Sequence, residues 1–542
     1  MPNGPSSPFH KDDWLTLAGL FGFFGAAAWW VGARADVPVI DDWVYAWSVE
    51  HFVHTGRLRV LDFSAIYPIA QIVWGALVAR IAGFSFGALR CSTVVLAVFG
   101  CWAVYLTLRE MGCRWSTSAL GAFAIALDPV YFALSFSFMT DVPFVSLASI
   151  ATYCYVTAVR RDSAARLWMA GGWTVLAFLV RPLAVVLPFS VVPALLWRSD
   201  WRAALRRATP PLVTTAIGMV LLQSQLARVF GPLDGAAVRE GWLADWFSIP
   251  FGYYAKWSVE VLLQSALPLA PLLLATLIRW RRALLVAVLG LFLIPTFHLM
   301  FGALPSAFPD WQTWSFQDIG ARALIGGDLD PSPWSVRAKP VAQVVGLLVT
   351  GALLAACLRR GATRWGRGEL VAATLTLLHV GMIHVLWLYN DRYYLVLAPP
   401  LVMLAARALD TDRSAQLVAA AGLIVWAAIA LTGTRDMLAF NDAAALAVRQ
   451  LEATGVPAWE IDAGYSLNGW RLYAHPEQLP PEWDRRDDVP FVTSDRPTQY
   501  AITNRPLAGF DIARVVPLRS ASWQTTNAIY VLRRHMAAPG EP

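Results

Sequence analysis

"VPVIDDWVYAWSVEHF" occupies residues 37–52, and its charged pair decides how the rest of the chain is read. Asp41 and Asp42 stand a few residues past a long apolar run, and Trp43, Tyr45 and further polar residues follow at helical spacing. The preceding run, 14–33, is long enough to cross a hydrocarbon core, which takes about 20 mostly apolar residues. Acids at the mouth of a span have two readings. They can mark where the span ends in water, which suits a lone acid. Two acids followed by two aromatics point instead to a site, since an ionisable residue at membrane depth is by default a functional candidate.

Composition supports the membrane setting. Of 542 residues, 57% are hydrophobic and 15% charged, against about 25% charged in soluble domains. Lys11, Lys256 and Lys339 are the only lysines, so arginine carries the net charge of +6. Such a balance reflects membrane topology before nucleic-acid binding. Candidate spans lie near 14–33, 88–108, 116–134, 142–159, 167–180, 182–197, 208–229, 251–278, 283–304, 340–358, 370–388, 395–409 and 414–432, about thirteen transmembrane helices. The first is too long for a cleaved signal peptide and lacks a small-residue cleavage site. Residues 64–84 are also apolar, but Gln71 and Arg80 interrupt them, which predicts a helix lying in the interface. If this stretch crosses, the count becomes fourteen and the C-terminus changes sides.

The short loops 109–115, 160–166, 198–207, 279–282, 359–369 and 407–413 together hold eighteen basic residues. The positive-inside rule therefore sets the N-terminus inside and puts Asp41, Asp42 and the C-terminal tail outside. Cys91, Cys101, Cys154 and Cys357 fall in expected spans and Cys113 in an inner loop, with neither a disulfide framework nor metal-type spacing.

The membrane domain is expected over 1–433, with outer loops 34–87 and 305–339. From about Thr434 the apolar runs shorten. Arg435–Thr454 reads as an amphipathic helix ending at Gly455. "AWEIDA", "QYAIT", "FDIARVVPL" and "AIYVLRR" read as strands between proline-rich turns. A small α/β domain over 434–542 is expected, outside the membrane.

The unusual polar groups all fall on the outer side of this topology. Asp141 opens the fourth span in "SFSFMTDVPF", and Arg181 sits in "FLVRPL". Lys256 and Glu260 lie in "YYAKWSVE", and Asp391 and Arg392 in "WLYNDRYYL". Loop 305–339 adds Trp311, Trp314, Trp334, Asp310 and Asp318. Each has an ordinary reading too. Asp141 reads equally as a helix cap. Arg392 and Lys256 can snorkel to headgroups, and the tryptophans can anchor the interface. His298, His379 and His384 show no ligand spacing and read as hydrogen-bonded core residues.

"DDWVYA" with its polar helix resembles the first-loop acidic motif of the GT-C type membrane glycosyltransferases. "FMTDVPF" resembles their second acidic motif, and "YNDRYYLVLAPPL" their arginine–tyrosine motif. The nearest groups are the family 39, protein O-mannosyltransferase-like enzymes and the lipid A aminoarabinose transferases. The resemblance covers about 10–432, mostly as topology. These families usually have Asp-Glu where this chain has Asp41-Asp42, which leaves the role of the second position open. The sugar-binding-like insertion of the eukaryotic mannosyltransferases is missing, so a protein acceptor is not implied.

The resemblance implies transfer of a sugar from a polyprenyl-phosphate donor to a hydroxyl or amine acceptor on a lipid, glycan or protein, with inversion, at the outer face of a bacterial inner membrane. Asp41 would be the base, and Asp141 would orient the acceptor or share that role. Asp42 would support Asp41 or hold a divalent metal ion. Arg181, Lys256 and Arg392 would take the donor phosphate, and Tyr45, Tyr393, Trp311 and Trp314 would line the substrate. Besides its lipid-linked substrate the protein would meet membrane lipids, and no nucleic acid. A transporter and a non-enzymatic envelope-assembly protein are the competing classes. The first would show midplane charges and repeated halves, and the second needs far fewer spans.

Overall fold

The computed structural model describes residues 10–197, 200–231, 233, 246–277, 341, 344–353, 355, 365–386, 391–407, 409–410, 412–487, 489, 498–518 and 528–535. Among these, seven helices are long and apolar enough to cross a membrane, or eight if one bent pair counts as a span. The chain is an integral membrane protein. The first part runs α1 (Lys11–Val31), α2 (Asp42–Thr55), α3 (Ile69–Ala82), α4 (Phe86–Glu110), α5 (Trp115–Ala126), α6 (Pro129–Ser135), α7 (Asp141–Arg161) and α8 (Ala164–Phe178). Later helices of spanning length are Trp201–Phe230, Phe251–Ala275, Arg367–Val385 and Arg413–Ala453.

Several expected spans have a different shape, for local reasons. The run 116–134 breaks into α5 and α6, bent by 67°. Pro129 cannot continue α5. The Asp128 carboxylate accepts the Val130 and Tyr131 amides at 2.9 and 3.2 Å, which starts a new helix. The run 182–197 carries Pro182, Pro188 and Pro193 and forms a 3-10 stretch, Pro182–Val191, followed by the short helix Val192–Leu196. α8 has 15 residues, and Arg392–Ala406 is likewise a shorter apolar helix. Of 340–358, the short helix Val344–Leu353 is described. The expected span 283–304 and loop 305–339, with Trp311, Trp314 and Trp334, lie outside the described residues.

α3 has 14 residues, about 21 Å at 1.5 Å per residue, too short to cross. It buries Gln71, Ile72, Gly75, Ala76 and Ala79 and exposes Val73, Leu77 and Ile81 on the opposite face. The Gln71 amide donates to the Phe138 carbonyl at 2.8 Å. The expected interruption by Gln71 is thus a fastening of α3 to the turn before α7.

The bundle centre is α4 packed on α7. A side chain at Gly100 could not fit, because its Cβ would lie 2.5 Å from Ser146 Oγ. Around this centre, α1 and Trp201–Phe230 expose Trp29, Phe21, Val220 and Ile217. Lipid accounts for such outward apolar faces. The end of α7 at Arg161 carries ion pairs: Arg161–Glu110 at 2.6 Å and Arg207–Asp162 at 2.7 Å. Its other end, at Asp141, faces the candidate site.

The helix Arg413–Ala453 is 41 residues long and passes Thr434 without a break. Its second half covers a sheet of four strands, β1 (Ile461–Asp462), β2 (Tyr500–Thr503), β3 (Phe510–Pro517) and β4 (Ala528–Arg534). The order is β1-β2-β4-β3; β1 and β2 run parallel and the other pairs antiparallel. Phe440, Ala444 and Val448 of the helix join Ile461, Ile502, Ile529 and Val531 in one small core. Between β1 and β2, Leu472, Tyr473, Ala474 and Leu479 instead enter the large core of the membrane bundle. The tail and the bundle therefore share packing.

Candidate active site

Asp41 and Asp42 diverge although they are adjacent. Asp42 opens α2 and is fully buried. Its carboxylate accepts the Val39 amide at 2.7 Å and the Phe138 amide at 3.4 Å. Burial pushes its pKa up to about 7, against the opposing pull of the Arg90 guanidinium and the two amides. Arg90, also fully buried, donates to the Ala35 and Val37 carbonyls. Asp42 and Arg90 thus fold the segment 35–42 onto α4 and the turn before α7.

Asp41 faces the opposite way. One of its carboxylate oxygens lies 3.0 Å from Arg392 Nη1, and its side chain keeps 22% exposure. The neighbouring Tyr393 hydroxyl accepts from Arg392 Nη2 at 3.2 Å. The Arg392 and Arg181 guanidiniums each lie 5.1 Å from the centre of the Tyr393 ring. Arg181 in turn reaches Asp141 at 2.9 Å through Nη2 and donates from Nε to Thr140 Oγ1 at 2.8 Å. Two acids and two arginines from four separate segments are therefore linked through one tyrosine ring. Tyr45, one turn along α2, is buried beside Asp41, Arg181, Arg392 and Tyr393, and burial followed by the Asp41 charge pushes its phenol up to about 12. It stays a neutral donor.

Asp41 and Tyr45 of the first acidic motif, Asp141 of the second, and Arg392 and Tyr393 of the arginine–tyrosine motif meet here, with Arg181. Lys256 does not join them. It makes no hydrogen bond or ion pair among the described residues, although its helix packs against the Asp391–Tyr394 turn. Trp311 and Trp314 lie outside the described residues. His379 is buried in the core of its helix, as expected, and His298 lies outside the described residues. His384 has a partner, Ser258 Oγ at 3.0 Å.

Sequence reading missed the tail's share of the site. Ser466 Oγ donates to the Ile40 carbonyl at 2.8 Å, next to Asp41. Trp43, fully buried, meets Tyr465 and Tyr473 with ring centres 6.1 and 5.8 Å apart. The only local signal was the dense cluster "GYSLNGWRLY" at 464–473, which has neither helix nor strand periodicity. As for a metal, no group of three histidine, cysteine or carboxylate side chains converges among the described residues. Asp41 and Asp141 each face a guanidinium, and Asp42 accepts from two backbone amides.

Residues 69–227, from α3 almost to the end of Trp201–Phe230, match the family model of dolichyl-phosphate-mannose-protein mannosyltransferases. The chain is similar to the GT-C membrane glycosyltransferases. Among solved structures it matches the S. cerevisiae protein O-mannosyltransferase Pmt1-Pmt2 complex bound to the sugar donor, with 16% identity, 41% of this chain and 34% of that one covered, and a TM-score of 0.32. The chain thus spans about a third of that mannosyltransferase. A second match is ArnT from Cupriavidus metallidurans bound to undecaprenyl phosphate, at 13% identity, with 96% and 98% covered and a TM-score of 0.37. A third is the Archaeoglobus fulgidus oligosaccharyltransferase tethered to an acceptor peptide, at 12% identity, with 81% and 58% covered and a TM-score of 0.40. No curated protein matches the chain.

Proposed function

We propose that this GT-C-like protein moves a sugar from a polyprenyl-phosphate donor to a hydroxyl or amine acceptor at the extracytoplasmic face of the membrane. The chain of contacts Asp41–Arg392–Tyr393–Arg181–Asp141 carries the reading. Such a transfer needs a base for the acceptor and positive charge for the departing phosphate. This network supplies both within one cluster. The family match over 69–227 supports the same class.

In the proposed step the acceptor oxygen or nitrogen attacks the anomeric carbon. The bond from that carbon to the phosphate oxygen breaks on the opposite face, so the configuration inverts. The acceptor proton passes to Asp41, and the electron pair stays on the phosphate. Asp41 suits the base because its carboxylate is the more accessible: 22% exposed, against 1% for Asp141. Asp141 then holds Arg181 in place, and the acceptor-orienting role passes to the groups around Asp41. Arg392 and Arg181 take the phosphate, with Lys256 approaching from the neighbouring helix. The substrate stays between Tyr45 and Tyr393. The guanidiniums supply the charge in this scheme, and no step is routed through a metal ion.

The test is conversion of an undecaprenyl-phosphate-linked sugar to undecaprenyl phosphate by the purified protein, with and without a chelator. Intact donor under all acceptor conditions would sink the reading and favour a transporter or assembly protein. Activity that disappears with the chelator would move the phosphate charge to a metal. Sidedness has its own test: a reporter active only in the cytoplasm, fused after the C-terminus, should be silent.

A further inference from the structure

We propose that the far end of α2 forms a binding site for the headgroup of an anionic glycerophospholipid, in a cleft between that end and the last turn of the helix Trp201–Phe230. The site is separate from the acids and arginines of the candidate active site, and it stands whether or not the chain transfers a sugar.

The cleft lies at the level where lipid headgroups begin. Trp201–Phe230 has 30 residues, about 45 Å, enough to cross a bilayer. Its Trp201 end lies beside the Arg161 end of α7, where Arg207 pairs with Asp162 at 2.7 Å. Phe230 therefore stands on the side of Asp141, at the other end of α7. There the Tyr67 hydroxyl donates to the Gly231 carbonyl, which fastens the helix end to the segment before α3. α3 turns Val73, Leu77 and Ile81 outward, and the long helix turns Val220, Leu221 and Val229 outward. Apolar faces exposed on both neighbours meet lipid, and the polar groups at their ends mark its boundary.

The lining of the cleft is cationic on one side and apolar on the other. The cleft measures about 710 Å³, with His51, Arg57 and Arg59 on the α2 side and Val229 and Phe230 opposite. No carboxylate lines it. Arg57 and Arg59 are exposed and make no ion pair among the described residues. The acids nearest in sequence are engaged elsewhere: Glu50 faces His475 at 3.5 Å, and Asp62 holds Arg485 and Arg486. Two guanidiniums thus border an apolar wall without a counter-charge.

The cationic side is also built in advance. Gly56 ends α2 with a φ of 70°, which glycine adopts freely. Thr55 Oγ1 donates to the His51 carbonyl at 2.7 Å and accepts the Arg57 amide at 3.1 Å, fixing the turn. The Trp47 indole backs the other two groups: the His51 ring stacks on it at 5.1 Å, and the Arg59 guanidinium lies 5.8 Å from its centre. Burial, then the Arg59 charge, lowers the His51 pKa. His51 therefore offers a hydrogen bond, and the arginines supply the charge.

A phosphodiester matches this arrangement, because a guanidinium fork binds phosphate oxygens in pairs. The glycerol and first methylenes would lie against Val229 and Phe230. A zwitterionic headgroup would bring its own cation among the arginines, and a free phosphate would leave the apolar wall unused. His51 lies ten residues past Asp41, about 15 Å along α2, too far for one phosphate to serve both sites.

The experiment is native mass spectrometry of the full-length protein in detergent, titrated with phosphatidylglycerol or with phosphatidylcholine of equal chain length. Wild type is expected to hold phosphatidylglycerol the more tightly. Arg57→Gln/Arg59→Gln should weaken that binding by roughly tenfold or more, the effect of losing a charge-assisted hydrogen bond. Its phosphatidylcholine binding and thermal midpoint should stay unchanged. Arg202→Gln/Arg206→Gln, at the opposite end of the long helix, should keep wild-type binding. Unchanged phosphatidylglycerol binding in the cleft variant would overturn the site. An equal loss in the Arg202/Arg206 pair would overturn it too, by reducing the effect to general charge attraction. Displacement of the lipid by millimolar inorganic phosphate would reject a lipid ligand in favour of a free anion. Should the cleft variant fail to fold, Val229→Glu, at a position 70% exposed, places an acid on the cleft rim. Undiminished phosphatidylglycerol binding there rejects the proposal equally.

Discussion

The pairs Asp41–Arg392 and Asp141–Arg181 use the same chemistry in different surroundings. Their nearest approaches are 3.0 and 2.9 Å, and both arginines lie over the same tyrosine ring. Asp141 is sealed at 1% exposure while Asp41 keeps 22%. A carboxylate without access cannot meet an acceptor, however well it is paired. The comparison separates a pair that substrate can reach from one that is sealed.

The largest effect that can break this distinction is on turnover. Asp41→Asn preserves shape but cannot take a proton, and general base catalysis is worth about 10²–10⁴-fold. Turnover should fall by that order while undecaprenyl phosphate still binds. Near-normal transfer would make the pairs equivalent and leave Asp141 as the base. The converse concerns stability. Removing one member of a buried pair costs about 3–5 kcal/mol, because it strands the other charge. Arg181→Ala should therefore lower the denaturation midpoint in detergent markedly, and Arg392→Ala should do so less. Equal midpoints would erase the distinction.

Donor affinity sharpens the comparison at a smaller scale. Charge-assisted hydrogen bonds contribute about 1.5–3 kcal/mol, so Arg392→Ala should weaken undecaprenyl phosphate binding by roughly tenfold. Lys256→Ala should weaken it less, given its place outside the network. Unchanged binding in both would return them to headgroup anchors. The smallest effect falls on Asp42. Burial already favours its neutral form, with a pKa of about 7. Asp42→Asn should therefore cost about 1 kcal/mol of stability, roughly one hydrogen bond, and little of kcat. A loss of turnover matching that of Asp41→Asn would show that the two adjacent acids work as a unit.

What the sequence disclosed follows from locality. Asp41, Asp141, Arg181 and Arg392 stood out because each is a charge beside a long apolar run, where a charge is expensive. "AIYVLRR" and "QYAIT" were readable because alternation and flanking turns are local signals, and they match β4 and β2 closely. The 3-10 stretch Pro182–Val191 was hidden because apolar composition outweighed its prolines in a span-length window. Tyr465 and Ser466 were hidden for a deeper reason. Their partners, Trp43 and Ile40, lie at the other end of the chain, and one chain carries no sign of which distant side chains meet. That Leu472 and Tyr473 belong to the core of the bundle was hidden for the same reason.

The unbroken helix Arg413–Ala453 makes the alignment of base and tail a matter of rotational phase. Its 41 residues span about 62 Å, roughly twice the thickness of a hydrocarbon core. One rod leads from the membrane bundle toward the segment bearing Ser466, which holds the Ile40 carbonyl. Each residue added to or removed from such a rod turns whatever follows by about 100°. The azimuth at which the tail faces Asp41 is therefore counted out in residues, like the index of a gear. Evolution can vary the rod's outward side chains freely, but it can change the rod's length only in steps near whole turns.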